Sequence, residues 1–134
     1  MKNEDLKKTE NPDFIHSPLR YPGNQIYALD TLLSLIPEHR YYAEPFCGGA
    51  STFFGKPKAE GNWLNDVDRE LIDTYIAIRD QPEKLIAALI LEEISEKRYN
   101  HFKTEYTPRN GFETAVRWFY LNRTSKIETM SRFW

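Results

Sequence analysis

The sequence predicts an α/β protein with two parallel strands and surrounding helices, a sheet that looks incomplete. Three observations carry this. A short aromatic strand at Tyr41–Glu44 runs into the loop Pro45-Phe46-Cys47-Gly48-Gly49 and a helix start. A second short strand, Asn62-Trp63-Leu64-Asn65, ends at Asp66 and precedes an apolar helical pattern. Helical periods also lie before the first strand and after the second helix. Parallel sheets bury both faces and usually hold more than two strands, so the pattern looks like part of a larger sheet.

The elements follow in order. Residues 1–16 are polar with mixed charge and read as a flexible N-terminal arm. Ser17-Pro18-Leu19-Arg20-Tyr21-Pro22-Gly23-Asn24 is punctuated by proline and glycine and reads as a turn-rich segment. Ile26, Leu29, Leu32, Leu33 and Ile36 share one face of a helix from about Gln25, which Pro37 ends. A short helix from Ala50 to about Phe54 follows the glycine loop. Asp68 suits the cap of a helix carrying Leu71, Ile72, Tyr75, Ile76 and Ile78 to about Arg79. Pro82 fits the first turn of the next helix, with Leu85, Ile86, Leu89 and Ile90 as its buried face. Ser95 to Tyr106 reads as a charged helix and Pro108–Gly111 as a turn. A last helix over about Phe112 to Asn122 should bury Ala115, Val116 and Phe119, with no clear period from Arg123 to Trp134.

Composition excludes several classes. The chain has 134 residues, 40% apolar and 28% charged, which suits one soluble globular domain or part of one. No apolar run approaches the ~20 residues that span a bilayer, and the N-terminus has no signal-peptide core, so a cytoplasmic protein without membrane contact is expected. Cys47 is the only cysteine, which excludes an internal disulfide framework. His16, His39 and His101 match no zinc-ligand spacing, and no metal site is expected. The net charge of −2 is unlike the basic balance of most free-standing nucleic-acid binders.

Four segments bear on chemistry. Gly48 and Gly49 let a ligand approach the backbone, at the carboxyl end of a strand where nucleotide-like ligands bind in such sheets. Asp66, at the end of the second strand, is placed to accept hydrogen bonds from two ribose hydroxyls; a helix cap is its alternative role. The chain lacks Gly-x-Gly-x-x-Gly and Gly-x-x-x-x-Gly-Lys-Ser/Thr, so ATP phosphate binding is disfavoured. Arg20-Tyr21-Pro22-Gly23 is either a plain turn or part of a pocket lining. Asn122-Arg123-Thr124-Ser125 follows core-type aromatics and is a set able to contact phosphates.

In this order the segments resemble adenine-specific DNA methyltransferases of the Dam type, in their N-terminal portion. The likeness runs from about Ser17 to Ser125. Tyr42-Ala43-Glu44-Pro45-Phe46-Cys47-Gly48-Gly49-Ala50 is similar to the family's Glu-Pro-Phe-x-Gly-Gly loop. Leu64-Asn65-Asp66-Val67-Asp68-Arg69-Glu70-Leu71-Ile72 resembles its Asn-Asp-Ile-Asn-x-x-Leu-Ile segment, and Phe119–Thr124 its Tyr-Leu-Asn-Arg-Thr segment. The resemblance implies an incomplete Rossmann-like methyltransferase fold over 17–134. It also implies S-adenosyl-L-methionine as cofactor, double-stranded DNA as substrate, and a setting such as restriction–modification. By resemblance the cofactor residues are Tyr21, Gln25, Glu44, Phe46, Gly48, Gly49 and Asp66. Gln25 stands where the family has lysine, and Asn24 where it has its second glycine. Asn122, Arg123 and Thr124 are the implied DNA contacts.

The family's catalytic tetrapeptide, Asp/Asn-Pro-Pro-Tyr/Phe, is nowhere in the chain, so no catalytic residue is assigned. The expectation is a methyltransferase truncated before that motif and inactive by itself. The alternative is a non-catalytic cofactor-binding or interaction module that needs a partner chain. Either way, a sheet left open predicts a partner chain or self-association.

Overall fold

The computed structural model describes residues 15–22 and 28–126. Residues 1–14 of the arm expected over 1–16, the positions of Asn24 and Gln25, and the tail from 127 lie outside the described residues. The elements run α1 (Leu29–Leu35), β1 (Tyr41–Glu44), α2 (Ser51–Gly55), β2 (Gly61–Leu64), α3 (Arg69–Asp80), α4 (Pro82–Ile90), α5 (Glu96–Asn100), one π-helical turn (His101–Glu105) and α6 (Gly111–Thr124). An α/β chain with two parallel strands and surrounding helices is therefore what folds, consistent with an incomplete Rossmann-like arrangement.

β1 and β2 pair in parallel with Tyr41 opposite Gly61 and Glu44 opposite Leu64. Alternation along each strand puts Tyr41, Ala43, Gly61 and Trp63 on one face and Tyr42, Glu44, Asn62 and Leu64 on the other. The second face is half-buried. On the first, Tyr41 and Trp63 are each 73% exposed. Gly61 has no side chain for a steric reason: a Cβ there would meet the Tyr41 ring at 2.7 Å.

The helices begin where their sequences say they should. Asp68 caps α3 by accepting from the Leu71 N–H at 3.2 Å. Ser95 does the same for α5 through the Arg98 N–H, and Asn110 for α6 through the Glu113 N–H. Pro82 opens α4. Each cap satisfies an amide that the first turn leaves without a partner.

The core lies between α3 and α6. Leu19, Leu71 and Trp118 form one buried cluster, Ala77, Leu85 and Ala115 a second, and Tyr99, Phe102 and Tyr120 a third. An ion pair, Arg117 to Glu70 at 2.7 Å, spans the two helices at their edge. Beyond α5 the backbone widens by one turn, with the Tyr106 N–H reaching the His101 carbonyl at 2.9 Å. The widened turn still delivers Phe102 into the third cluster.

Two expectations are corrected. Ile86 and Ile90 do not belong to the buried face of α4; they are 57% and 76% exposed. That helix is covered on the side of α3 and α6, where Leu85 and the half-buried Leu89 point, and no described element covers its other flank. The last helix also runs past Asn122 to Thr124. Asn122 is buried and takes both backbone polar groups of one residue: its Oδ1 accepts from the Arg20 N–H at 3.1 Å and its Nδ2 donates to the Arg20 carbonyl at 2.6 Å. This pair fastens the segment before Tyr21 onto α6.

Replacing Asn122 by alanine would strand a partly buried N–H and C=O. Asn122→Ala should lower the unfolding free energy by about 1–3 kcal/mol, measured by urea denaturation.

Candidate functional site

The carboxyl ends of β1 and β2 continue as a zipped pair of loops. The Asn65 N–H donates to the Glu44 carbonyl and the Cys47 N–H to the Asn65 carbonyl, each at 2.9 Å. This brings the glycine loop beside Asp66. The Asp66 carboxylate then receives two amides, Gly48 N–H on Oδ2 at 2.9 Å and Asp68 N–H on Oδ1 at 3.0 Å. On the far side of the loop the Tyr75 hydroxyl donates to the Gly48 carbonyl at 2.8 Å.

Gly48 has a φ of 46°, and a Cβ there would press on the Tyr21 ring at 2.9 Å. Glycine is favoured on both counts. Ala50 is also left-handed, with a φ of 49°. That conformation costs a residue bearing a Cβ roughly 1–2 kcal/mol. Strain held by surrounding contacts concentrates at functional loops.

These residues enclose a cleft of about 320 Å³ lined by Tyr21, Glu44, Phe46, Gly48, Gly49 and Asp66, together with Pro22, Cys47 and the first residues of α2. Six of the seven residues expected to hold a cofactor thus line one cavity; the seventh, Gln25, lies outside the described residues. Phe46 is 87% exposed, its ring available at the rim. Tyr42 donates to Glu44 Oε1 at 2.7 Å and fixes that carboxylate, while Lys56 sits over the Tyr42 ring at 4.4 Å.

The cleft is acidic. Glu44 and Asp66 line it, and no described basic residue does. The Tyr21 hydroxyl is pushed above its usual value by burial and then by the charges of Asp66 and Asp68. Burial, followed by Asp66 and Glu44, pushes the Cys47 thiol up to about 11. Such a site repels phosphate and favours hydroxyl donors and cations. A more apolar groove of about 430 Å³, walled by Phe54, Trp63, Ile72 and Tyr75, is larger. It lacks the convergence of carboxylates and loop backbone, so the cleft at the strand ends is the stronger candidate.

Other expected residues lie elsewhere. Asn122 and Thr124, proposed from the sequence as DNA contacts, are 2% and 5% exposed. Asn122 is engaged with Arg20, and the Thr124 hydroxyl donates to the Tyr120 carbonyl at 2.7 Å. Both lie buried at the end of α6, which runs two residues past the expected Asn122. Arg123, between them, is exposed. Among the described residues no group of three or more His, Cys, Asp or Glu could hold a metal ion, and no helix is long and apolar enough to cross a membrane. The sequence reading missed Tyr42 and Tyr75. The usable signal at position 75 was a tyrosine in an aliphatic helical stripe, whose hydroxyl must find a partner when it is buried.

Fold and cleft together define an α/β unit with an acidic cleft at the ends of two parallel strands. Residues 21–132 match the family described as D12 class N6 adenine-specific DNA methyltransferase, and the chain belongs to that family. It is 28% identical over 112 residues to the type II methyltransferase M1.LlaDCHI of Lactococcus lactis subsp. cremoris, covering 78% of this chain and 39% of that protein. It is 29% identical over 104 residues to the DNA N-6-adenine-methyltransferase of Escherichia phage P1, covering 78% of this chain and 13% of that protein. It is 30% identical over 84 residues to the type II methyltransferase M.CviBI of Paramecium bursaria Chlorella virus NC1A, covering 62% of this chain and 32% of that protein. The chain therefore spans well under half the length of these relatives.

Burial, and after it the carboxylates of the cleft, should make themselves visible in Cys47. At pH 8 its alkylation by iodoacetamide, followed by mass spectrometry, should be roughly two orders of magnitude slower than that of a free thiol. Because a raised pKa disfavours the thiolate, the rate should keep climbing towards pH 11 rather than level off near the ordinary thiol value.

Proposed function

We propose that this chain forms the S-adenosyl-L-methionine-binding part of an enzyme that methylates the N6 amino group of adenine in double-stranded DNA. The observation that carries the reading is the single acidic cleft where Tyr21, Glu44, Phe46, Gly48, Gly49 and Asp66 meet. The donor set fits this cofactor. It offers carboxylates for hydroxyl and amino donors, aromatic rings for a purine face, and two glycines where backbone must come close. A cofactor with a sulfonium and no phosphate suits two carboxylates without a described cation. When bound, S-adenosylmethionine supplies an activated methyl group.

The chain's own residues would bind and orient. Asp66 still has lone pairs beyond those given to Gly48 and Asp68, so it can also accept from ribose hydroxyls. Glu44, held by Tyr42 through one oxygen, also lines the cleft. The rings of Tyr21 and Phe46 border the same space. The Pro-Pro motif that would hold the adenine amino group is not among the 134 residues. The adenine side of the reaction is therefore assigned to polypeptide outside this stretch, in the same chain or in a partner. Two of the relatives are type II methyltransferases by name, which supports a restriction–modification setting, with DNA in the cytoplasm as substrate.

Calorimetry with S-adenosylmethionine tests the site. Asp66→Ala should weaken binding by about 1–3 kcal/mol, and Asp66→Asn, which keeps one acceptor oxygen for the backbone, by less. Equal binding by wild type and Asp66→Ala would remove Asp66 from the site.

A second reading, a module completed by a partner chain or by another copy of itself, is favoured by one observation. The sheet face bearing Tyr41 and Trp63 is open to solvent. Exposed edges and apolar patches recruit other chains, and a net charge of −2 opposes that weakly. Light scattering should give a mass above the monomer's 15.9 kDa. A sharp monomer peak without hydrophobic-dye binding would count against this reading.

A further inference from the structure

We propose that Tyr75 is a positioning residue: its hydroxyl fixes the Gly48 peptide and so sets the floor of the cleft. The cofactor consequence of this proposal rests on the reading of the cleft given above. Gly48 is gripped from three directions. Asp66 accepts from its N–H, Tyr75 donates to its carbonyl, and the Tyr21 ring lies against its Cα. A left-handed glycine in a loop has several alternatives open to it, and each contact removes some of them. Asp66 and Tyr21 are placed to meet a ligand as well as the loop. Tyr75 is absent from the lining of the cleft, so its only use there is through Gly48.

The position of the hydroxyl is itself fixed. Tyr75 stands on α3 one turn after Leu71, and its ring packs against the Leu19, Leu71 and Trp118 cluster and beside Phe54, with ring centroids 6.3 Å apart. Burial pushes the phenol well above its usual value, so it stays protonated and donating across the physiological range. One phenolic oxygen therefore links the loop after β1 to the helix after β2. Phenylalanine at this position would keep the packing and lose only the tie.

The test compares wild type, Tyr75→Phe and Leu85→Val in the full chain. Leu85 belongs to the separate Ala77 and Ala115 cluster and reports general loss of stability. Tyr75→Phe should weaken S-adenosylmethionine binding about three- to tenfold, the usual effect of one hydrogen bond, and should speed amide exchange at Gly48 by a similar factor. Leu85→Val should lower the urea midpoint at least as much while leaving both quantities unchanged. Unchanged exchange and binding in Tyr75→Phe would overturn the proposal. So would the same losses in Leu85→Val. If the wild type binds no cofactor, faster Gly48 exchange in Tyr75→Phe would sustain the Tyr75–Gly48 tie and overturn the cofactor reading alone.

Discussion

The Asp66 carboxylate holds the end of β1 to the end of β2. Parallel pairing brings the two strand ends side by side, but the four-residue register stops at Glu44 and Leu64. Past that point the chain turns at both ends and exposes amides. Asp66 takes one amide from each side, Gly48 from the loop and Asp68 from the start of α3. Neutral side chains could accept these bonds, but a carboxylate makes them charge-assisted and stronger. The left-handed Gly48, the strained Ala50 and the cap of α3 all stand on this arrangement. So does the cleft's charge, since the group that shapes the loop is also one of the two that make the cavity acidic.

The remaining energy of the fold lies away from the sheet. Three apolar clusters join α3, α4, α5 and α6, while the two strands contribute one half-buried face and leave the other to solvent. The helices hold the strands as a platform rather than being organised by them. Asn122 and Tyr75 transmit that support to the cleft, the first by fastening Arg20 and the second by fastening Gly48. Both are polar groups within apolar packing, where a satisfied bond fixes geometry more sharply than packing does.

Much of this was legible in the sequence where one residue type answers one local need. The cap Asp68, the proline opening α4, and the glycine at position 48 each satisfy a backbone requirement within a few residues. The strand–loop–helix order and the cleft residues Tyr21, Glu44, Phe46, Gly49 and Asp66 were readable for the same reason, helped by the family resemblance. What depends on distant neighbours was not. Ile86 and Ile90 fit the helical period, yet no described element packs on them. Asn122 and Thr124 look like part of a polar run at a helix end, but both are buried and turned inward, towards the Arg20 backbone and the Tyr120 carbonyl. Tyr75 is indistinguishable from a core aromatic until the loop it meets is in place.

The central claim is that the strand-end cleft, organised by Asp66, is where S-adenosylmethionine binds. Titration of the isotope-labelled chain with the cofactor, followed by amide chemical shifts, tests it most directly. The account predicts that the largest changes fall on Gly48, Gly49, Asp66 and Asp68, with little change on α4. Changes confined to Trp63 and Ile76 in the apolar groove, or no saturable change at all, would contradict it.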